Sequence, residues 1–580
     1  MAERIRRRTP AALPEDLPPD LHPVLRRVYA RRGVASAEEL DLRLARLAPP
    51  AGMADLEAAG EALASALRAG ARIVVVGDYD ADGAAATALM VRALRGLAAA
   101  AGGDPAQVRF LVPDRFTLGY GLSPAVVERL APLEPAWLVT VDNGVTSHEG
   151  VAAAREAGMR VVVTDHHSPD EALPAAAAVV DPQRGDDAFA SPHLAGVGVA
   201  FYVARAAQRA LAAAGDLPPD PPNLAGLLDL VAVGTVADLV PLDHNNRILV
   251  EQGLRRIRAG AAQPGVTALL EAAGRDPREA CAADLAFGVG PRLNAAGRMA
   301  DMTAGVECLL AADAASAQGA AAELDRLNRQ RREVEARMTE EALSALETQA
   351  EAVGPGVCVA AAGWHQGVTG ILAARLKERY QRPAIAFAPG QEGWLTGSAR
   401  SVPGLHMREL LARVQRGSPE LVQRFGGHAM AAGLTIPASG LEAFRAAFAA
   451  ALEEALDGGE PPPSRLDSDG PLAAEELTLE TAAALRYGGP WGMGFPEPRF
   501  DGLFAVRQAT PLNGGHLRLQ LQAADGTGPV WPAIAFGAQE SGWDRLAGPV
   551  RVLYSPEVNR YRGTVSLQLR VEHMEPQPGG

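Results

Sequence analysis

The first third of the chain alternates between short apolar runs and longer stretches in which apolar residues recur with helical spacing. Short apolar runs bounded by Gly, Pro or Asp predict buried strands, and the stretches between them predict helices. The runs cover residues 73–76, 108–112, 137–141, 159–164 and 178–180. Strands and helices that alternate in this order predict a doubly wound α/β domain built on a parallel sheet.

The pattern changes further along the chain. Residues 316–348 keep helical spacing throughout, which predicts a long connecting helix. From residue 357 strands and helices alternate again and predict a second, smaller α/β domain. A Gly- and Pro-rich linker at 457–464 precedes short apolar runs between Gly-rich turns, which predict a small β-barrel. The predicted barrel strands cover residues 517–522, 530–536, 550–554 and 564–571.

These changes divide the chain into predicted segments. The N-terminal one contains two stretches, residues 21–32 and 36–47, whose spacing predicts short amphipathic helices. The segments are an N-terminal helical extension over 1–50, the first α/β domain over 51–310, the connecting helix over 311–350, the second α/β domain over 351–456, and the linker with the barrel over 457–580.

Acidic and histidine side chains follow directly after three of the predicted strands. Because the C-terminal ends of parallel strands lie at one edge of a sheet, side chains that are distant in sequence converge there. One more carboxylate lies in a later apolar stretch, where an unpaired charge costs several kcal/mol. The residues that we expect to converge are Asp78, Asp80, Asp82, Asp142, Asp165, His166, His167 and Asp238.

Carboxylates this close repel one another unless a cation lies between them, so the pattern favours one or two divalent metal ions. The alternative is a set of polar turns in which Asp residues cap the following helices. Three acidic strand ends together with two adjacent histidines are hard to explain by capping. The sequence therefore predicts a metal site at this edge of the sheet.

The composition of the chain limits the classes of function that it can have. The net charge of −14 excludes a protein coated in positive charge, but it allows nucleic acid in a local basic groove. Lysine occurs once, at Lys377, so arginine would supply the phosphate contacts. The three cysteines, Cys281, Cys308 and Cys358, form no CxxC pair and suit a reducing cytoplasm. The basic start lacks the apolar stretch of a signal peptide, and no apolar run approaches membrane-spanning length.

Four spaced motifs resemble those of the DHH phosphoesterase superfamily. They are Asp78-Tyr-Asp-Ala-Asp-Gly83, Val141-Asp-Asn-Gly144, Asp165-His-His167 and Gly234-Thr-Val-Ala-Asp238. Within that superfamily, the chain is similar to bacterial single-strand-specific 5′→3′ DNA exonucleases from about residue 50 onward. Two more segments carry this likeness: residues 113–122, in which Asp114 replaces the usual Asn, and residues 292–298.

The resemblance implies an architecture and a metal chemistry. The first α/β domain would be the DHH domain, the second the DHH-associated substrate domain, and the barrel an OB-fold that binds single strands. Two ions, Mn²⁺ or Mg²⁺, would be held by oxygen-rich ligands. One ion would take Asp80 and Asp142 with Asp78 contributing, and the other would take the set Asp82, Asp142, His166 and Asp238.

The catalytic set implied by the resemblance is Asp80, Asp82, Asp142, His166, His167 and Asp238. Asp142 would bridge the two ions, and His167 would face the scissile phosphate. Asp165 would orient His166 rather than bind metal.

The resemblance also implies contacts with the DNA strand. In the first domain they are Arg115, Arg292, Asn294 and Arg298, in the second domain His365, Ser398, Arg400 and His428, and in the barrel Trp531, Arg560, Tyr561 and Arg562. Ser398 and Arg400 would grip a phosphate, and the barrel residues would stack on bases or contact the backbone unless the core of the barrel takes up the aromatic rings. The connecting helix is either a solvated element or a DNA contact, and its arginines are Arg326, Arg329, Arg331, Arg332 and Arg337.

We therefore expect a cytoplasmic, monomeric exonuclease that degrades single-stranded DNA 5′→3′ to mononucleotides in repair and recombination. A single-strand-binding protein and a RecQ-type helicase are the expected protein partners, and no membrane is involved. The alternatives are a DHH enzyme acting on pyrophosphate, short oligoribonucleotides or 3′-phosphoadenosine-5′-phosphate, and a non-catalytic single-strand-binding scaffold. Members of the first group lack a barrel extension, and scaffolds of the second kind have lost metal-site acids, which this chain retains.

Overall fold

The computed structural model describes residues 4–348, 354–457, 459, 465–538, 541–543, 546, 548–561 and 563–576. The chain divides into two compact units. Residues 1–296, 301–325 and 466–580 form the first unit, and residues 297–300 and 326–465 form the second. The C-terminal barrel therefore belongs to the same unit as the first α/β domain, although the second α/β domain separates them in sequence.

Helices and strands of the first α/β domain alternate as the apolar pattern predicts. From the N-terminal extension to the connecting helix, the elements are β1 (Ile5–Arg7), α1 (Pro23–Arg31), α2 (Leu56–Arg68), β2 (Ile73–Val76), α3 (Ala81–Ala100), β3 (Val108–Leu111), α4 (Pro124–Leu130), β4 (Trp137–Val141), α5 (His148–Glu156), β5 (Arg160–Thr164), β6 (Ala178–Val180), α6 (Gly196–Ala213), α7 (Leu228–Ala237), α8 (His244–Arg258), α9 (Pro264–Ala272), α10 (Ala282–Asp284), a π-helical turn (Leu285–Val289), α11 (Gly290–Met299), α12 (Thr303–Leu310) and the connecting helix α13 (Ala314–Thr348).

The sheet of this domain has the order β3-β2-β4-β5-β6, and all of its strands are parallel. Every residue of β2 and β4 is buried, because helices cover both faces of central parallel strands. Residues of α4 and α5 join Val74, Val76 and Leu138 in one apolar cluster. Helices α3 and α6 also pack on the strands. The doubly wound α/β domain predicted from the sequence is confirmed.

One predicted helix at the N-terminus is wrong. Residues 36–47 form two 3₁₀ turns, Ala37–Leu40 and Leu44–Arg46, instead of one α-helix. Asp41 lies between them in an extended conformation, and its carboxylate accepts hydrogen bonds from the backbone N and the Nε of Arg43 at 3.3 and 2.7 Å. Such local bonds from an Asp side chain compete with helix formation.

The second unit contains a mixed sheet between two helical layers. Its elements are β7 (Val357–Ala360), α14 (Gln366–Tyr380), β8 (Ala384–Pro389), β9 (Trp394–Arg400), α15 (Met407–Gly417), β10 (Arg424–Gly427), β11 (Ala431–Pro437) and α16 (Leu441–Ala455). The strand order is β10-β11-β9-β8-β7, with β7 and β8 parallel and the other pairs antiparallel. Helices α15 and α16 pack on one apolar cluster of this sheet, and α14 and the later part of α13 on another.

The predicted barrel is present. After β12 (Leu466–Ser468) and α17 (Leu479–Tyr487), its strands are β13 (Phe500–Leu512), β14 (His516–Ala523), β15 (Trp531–Ala535), β16 (Pro549–Tyr561) and β17 (Thr564–Pro576). They close in the order β13-β14-β15-β17-β16, with only β15 and β17 parallel among these pairs. The sequence pattern missed β13, and the linker predicted at 457–464 lies largely outside the described residues.

The two ends of the first unit are joined directly. Strand β1 pairs in parallel with β12, so that Ile5 lies beside Leu466 and Arg7 beside Ser468. Tyr29 of α1 packs near Trp491 and Phe495, which precede the barrel. Among the described helices, none has both the length and the apolar character needed to cross a membrane.

Candidate active site

The site lies where the chain changes direction across its parallel sheet. The chain passes from β2 to β3 on one side of β2 and then to β4 on the other side. Beyond the C-terminal ends of β2 and β4, such an order leaves a crevice, which is the usual ligand site of open α/β sheets. Asp78 follows β2 into this crevice and Asp142 follows β4.

The acidic turn after β2 both caps helix α3 and supplies carboxylates to the crevice. Asp80 is the N-cap of α3, and its Oδ1 accepts a hydrogen bond from the Gly83 N–H at 2.9 Å. Asp82, in the first turn of α3, accepts hydrogen bonds from Gly196 N at 2.6 Å and Val197 N at 3.1 Å. Capping, the alternative to metal binding, is thus real at Asp80, but one bond leaves most of the acceptor capacity of a carboxylate available.

Asp142 and His166 meet in the crevice. The backbone of Asp142 is left-handed, with φ of 63°, and turns its carboxylate toward the histidine, so that Oδ1 lies 3.0 Å from His166 Nε2. The same nitrogen lies 3.6 Å from Asp238 Oδ2 and 4.0 Å from Asp82 Oδ2. Asp238 is the C-cap of α7. Residues from four separate parts of the sequence therefore converge, as predicted.

Two glycines allow this close approach. A methyl group on Gly196, at the start of α6, would lie 2.6 Å from Asp142 Oδ1. A methyl group on Gly234 of α7 would overlap Asp82 Oδ1. Any larger residue at either position would displace a carboxylate of the crevice, which explains why Gly234 opens the motif that ends in Asp238.

The Asp165 carboxylate organises the two histidines. It accepts hydrogen bonds from Val145 N at 2.9 Å, from His166 N at 2.8 Å and from the Nδ1 of His167 at 2.7 Å. His166 makes a hydrogen bond to the Leu194 backbone, and this bond leaves Nε2 as the nitrogen that faces the carboxylates. Asp165 therefore lies behind the crevice, where it positions the loop that contains His166 and His167.

The donor atoms form three overlapping groups that could each hold a metal ion. In each group, the ligand atoms lie within 4.8 Å of one another. The groups are Asp78 with Asp80 and Asp142, Asp82 with His166 and Asp238, and Asp142 with His166 and His167. Asp142 and His166 each belong to two of them.

The electrostatics of the crevice call for a cation. Burial, together with the charge of Asp80, raises the pKa of Asp82 to about 7. Burial and the charges of Asp82 and Asp80 raise the pKa of Asp238 to about 9, and burial and the charge of Asp82 also raise the pKa of Asp142. Burial lowers the pKa of His166 to about 4, so its ring is neutral and free to act as a ligand.

The residues fit a divalent metal ion. Asp142 Oδ1 and His166 Nε2 are buried, and although they lie 3.0 Å apart, neither has a hydrogen-bond partner among the described residues. A metal ion would satisfy both atoms and would offset the repulsion between the carboxylates. The donor set contains carboxylate oxygens, one or two imidazoles and no thiolate, which suits Mn²⁺ or Mg²⁺.

His167 differs from His166 in charge. Burial opposes its protonation, but the hydrogen bond to Asp165 raises the pKa of His167 to about 9. The ring is therefore protonated at neutral pH, and the side chain is 37% exposed, so it can reach a bound anion. Tyr120, which sequence reasoning missed, lies beside it, with the hydroxyl 3.1 Å from His167 Nδ1 and 3.3 Å from the Asp142 carbonyl oxygen. Tyr120 lies in the loop that carries the family resemblance, and this was the available signal.

The DNA-contact residues predicted in the first α/β domain have different surroundings. The Arg115 guanidinium lies over the Tyr79 ring at 4.6 Å. Asn294 accepts a hydrogen bond from Ala81 N at 2.9 Å and so supports the start of α3. Arg292 is 8% exposed, pairs with Asp325 at 2.7 Å and bonds to two backbone carbonyls, so a phosphate would have to displace protein partners to reach it.

Four of the five predicted residues of the second unit lie around the start of α14. The Oγ of Ser398 lies 3.0 Å from the hydroxyl of Thr369, and the guanidinium of Arg400 lies above the helix beside Gly370. The remaining predicted residues of this unit are Arg298, which bonds to the Gly367 carbonyl at 3.3 Å, His365, which caps α14, and His428, which is exposed in the turn between β10 and β11.

The barrel residues predicted to bind DNA are less available than expected. Trp531 is 5% exposed and packs edge-on to Phe504, so its ring belongs to the barrel core, which was the alternative considered for the aromatic residues. Arg560 pairs with Glu279 at 2.7 Å. The side chain of Tyr561 and the whole of Arg562 lie outside the described residues.

Exposed barrel residues that sequence reasoning missed are Arg518 and Phe536. Strand β14 alternates buried and exposed positions: Leu517, Leu519 and Leu521 are buried, and Arg518 and Gln520 between them are exposed. Phe536, 59% exposed, follows β15 and packs edge-on against His516 of β14. The period-two alternation in β14 is the signal that would have identified this outer face.

Family models match three parts of the chain. The model described as the DHH family, N-terminal domain, matches residues 72–235, the DHHA1 domain matches residues 354–454, and the RecJ OB domain matches residues 468–573. The three matches follow one another in the order of the first α/β domain, the second α/β domain and the barrel.

Relatives with similarity over nearly the whole chain carry one name. The chain is 49% identical over 564 residues to the single-stranded-DNA-specific exonuclease RecJ of Dickeya dadantii, covering 95% of this chain and 96% of that protein. It resembles the crystal structure of RecJ in complex with Mn²⁺ from Thermus thermophilus, with a TM-score of 0.79 and 30% identity, over 100% of this chain and 81% of that one. The Mg²⁺ complex of the Thermus protein gives a TM-score of 0.72 with 29% identity, over 100% of this chain and 79% of that one.

Proposed function

The chain belongs to the RecJ family of the DHH phosphoesterases, and on this premise we propose that it is a metal-dependent exonuclease that degrades single-stranded DNA. We propose further that it works from the 5′ end and releases mononucleotides. The observation that carries the proposal is that three groups of potential metal ligands overlap in one crevice of the sheet. Asp142 belongs to two of these groups, and His166 belongs to two.

The crevice would hold two divalent ions. Asp78, Asp80 and Asp142 would hold one, and the set Asp82, Asp142, His166 and Asp238 would hold the other, with Asp142 shared. When bound, such ions activate water as a nucleophile and offset the negative charge that develops on the phosphate. The backbone bonds of Asp82 and Asp165 keep the ligand set in place, so little reorganisation is needed as the ions bind.

His167 would act on the phosphate rather than on a metal. Its Nδ1 bonds to Asp165, so Nε2 is the nitrogen left to carry a proton toward the substrate. A charged imidazole beside the scissile phosphate stabilises the extra negative charge of the transition state and can donate a proton to the leaving oxygen. Tyr120, within 3.1 Å of the same ring, would help to fix its orientation.

The outer face of the barrel favours a polynucleotide over a small phosphoester. OB-folds bind single strands on the face of their second and third strands, which here are β14 and β15. That face carries Arg518, Gln520 and the exposed ring of Phe536. A cation beside an aromatic ring is the usual arrangement for binding a backbone and its bases without sequence preference.

The second unit offers a place for a terminal phosphate. Near the N-terminal end of α14, the hydroxyl group of Ser398 lies 3.0 Å from that of the buried Thr369, and Arg400 lies beside Gly370 of the same helix. Helix N-termini bind phosphate through free N–H groups, and guanidinium adds charge-assisted bonds. We propose that these residues hold the 5′-phosphate, which would give the enzyme its polarity.

The wider role follows from the substrate. A nuclease that removes single strands from an end suits DNA repair and recombination in the cytoplasm. A single-strand-binding protein and a RecQ-type helicase, which produce or cover such strands, are the partners that we propose, and we propose that the enzyme itself is a monomer.

The deciding experiment uses one oligonucleotide labelled at either end, as a single strand and as a duplex, with Mn²⁺, Mg²⁺ or EDTA. We expect the 5′ label to be released first, as a mononucleotide, only from the single strand and only with metal. Loss of the 3′ label first would refute the polarity, equal digestion of the duplex would refute the strand preference, and activity in EDTA would refute the metal centre.

A further inference from the structure

We propose that Asn143 is a positioning residue that sets the separation between Asp142 and the acidic turn after β2. The inference rests on the proposed function, because it concerns the metal site of that reaction. Asn143 follows Asp142 directly, and its side chain is 0% exposed. It is no part of the ligand groups described above.

The two strands that carry the acids separate at this point. Strands β2 and β4 pair as far as Val76 and Thr140. Immediately beyond, Gly77 N donates to the Leu111 carbonyl of β3 at 3.1 Å, and Asp142 N donates to the Thr164 carbonyl of β5 at 3.0 Å. Each of these bonds continues the pairing of its strand with the outer neighbour, whereas the pairing between β2 and β4 ends where the crevice opens.

The Asn143 carboxamide spans this gap. Its Nδ2 donates to the Val76 carbonyl of β2 at 3.1 Å and to the Val141 carbonyl of β4 at 2.9 Å. Two carbonyl acceptors require an NH₂ group, so the chemistry fixes the orientation of the amide. One side chain thus replaces the missing backbone bonds and ties the ends of the two strands together.

The amide of Asn143 affects where the Asp142 carboxylate lies relative to the acidic turn after β2. Asp78 lies two residues beyond Val76, and Asp142 lies one residue beyond Val141, so the amide bridges the backbone segments that carry both acids. Asp142 and the pair Asp78 and Asp80 form one of the ligand groups within 4.8 Å. If the strand ends moved apart, Asp142 would still contact His166, but this group would open. Asn143 therefore acts on metal affinity and turnover without touching metal or DNA.

The test compares Asn143→Ala with Asn245→Ala. Asn245 is a matched control in the same unit: it is 5% exposed, and its Oδ1 accepts two hydrogen bonds, from Ala48 N at 2.9 Å and from the Tyr202 hydroxyl at 3.3 Å. Chemical unfolding in EDTA measures stability, calorimetric titration with Mn²⁺ measures affinity and stoichiometry, and steady-state digestion of single-stranded DNA measures kcat and KM.

Both variants should lose stability. Only Asn143→Ala should weaken Mn²⁺ binding at one or more sites by about tenfold or more and lower kcat similarly, with KM changed less than about twofold, as expected for loss of a residue behind the ligands. Asn143→Ala with the Mn²⁺ affinity and kcat of the wild type would overturn the proposal, and so would an equal loss of both in Asn245→Ala.

Asn143→Asp keeps the shape of the side chain and gives a second test if Asn143→Ala does not fold. The added negative charge alone would tighten cation binding, whereas loss of the NH₂ donor should weaken it. Weaker Mn²⁺ binding in Asn143→Asp supports positioning, and tighter or unchanged binding refutes it. A wild-type protein that binds no Mn²⁺, or does not digest DNA, would instead overturn the proposed function itself.

Discussion

Asp142 is, with His166, one of the two residues that belong to two of the three ligand groups, and it is the only carboxylate that does so. Replacing it with Ala should lower the rate of single-strand digestion about a thousandfold or more, since neither ion would keep its full ligand set. The fold should persist, because the change removes a buried carboxylate whose pKa is raised by burial and by the charge of Asp82. Initial rates and the far-UV circular dichroism spectrum check the two expectations.

Asp276→Ala is the control for this substitution. Asp276 belongs to the same unit, and its carboxylate pairs with Arg278 at 2.8 Å on the surface. We expect this variant to digest DNA at the wild-type rate. A fully active Asp142→Ala protein would contradict the assignment of two metal ions.

Asp238 makes stability depend on pH in the absence of metal. Its pKa is raised to about 9 by burial and by Asp82 and Asp80, whereas an Asp in the unfolded chain titrates near pH ~4. Between these values the folded state binds more protons, so the stability contribution, complete below about pH 4, is lost as the pH rises toward 9. The slope is at most about 1.4 kcal/mol per pH unit for one group.

Asp238→Asn removes this titration. In EDTA, the free energy of unfolding of the wild type should fall more steeply from pH ~5 to pH ~8 than that of the variant, and urea titrations at several pH values measure the difference. Saturating Mn²⁺ should flatten the wild-type curve, because a bound cation favours the ionised carboxylates. Parallel curves for the two proteins in EDTA would contradict the raised pKa.

At the scale of elements, strand β14 shows how one strand serves both the barrel core and its surface. Leu517, Leu519 and Leu521 point inward and are buried, whereas Arg518 and Gln520 are exposed. This alternation is a consequence of strand geometry, in which successive side chains point to opposite faces. The outward positions are therefore the ones available to a single strand.

Arg518→Ala should weaken binding of single-stranded DNA by about three- to tenfold and reduce the slope of log K against log salt by about one unit, because one phosphate contact is lost. Arg560→Ala should have a smaller effect, since its guanidinium already pairs with Glu279 at 2.7 Å. Fluorescence anisotropy with a labelled oligonucleotide at several salt concentrations measures both. A larger effect at Arg560 would contradict this view of the barrel surface.

At the scale of the whole molecule, buried ion pairs connect the beginning of the first unit to the region before the barrel. Arg32 donates to Asp469 Oδ2 at 2.8 Å, and the two side chains are 2% and 0% exposed. Asp469 also accepts from Arg8 at 3.3 Å and from Arg499 N at 3.1 Å. The chain thus closes on itself beside the short sheet of β1 and β12.

Asp469→Ala should destabilise the protein by about 3–5 kcal/mol, because it leaves the buried Arg32 charge without this partner. Asp467→Ala, two residues away, removes a pair with the exposed Arg6 at 3.1 Å and a longer contact with Arg8 at 3.7 Å, and should cost about 1 kcal/mol or less. Chemical denaturation followed by tryptophan fluorescence measures both. Equal losses in the two variants would show that the buried pair contributes no more than the exposed one.

The sequence by itself determined which strands form the first sheet and which side chains follow them. Apolar runs indicate burial on both faces, and parallel strands place their C-terminal ends at one edge, so Asp78, Asp142 and His166 were predicted at the same edge of the sheet. The spacing of the four motifs was sufficient to identify the superfamily, because each motif is a local string of residues.

Tertiary structure alone decided which of these donors share a site and which predicted contacts are already taken. Trp531 is buried in the barrel, and Arg292 and Arg560 have carboxylate partners. Those partners belong to other elements, so no local sequence pattern predicts them. Arg32 and Asp469 are 437 residues apart, and the pairing of β1 with β12 joins equally distant segments. Periodicity reports the burial of a residue, but its partner is chosen by the packing of the whole chain.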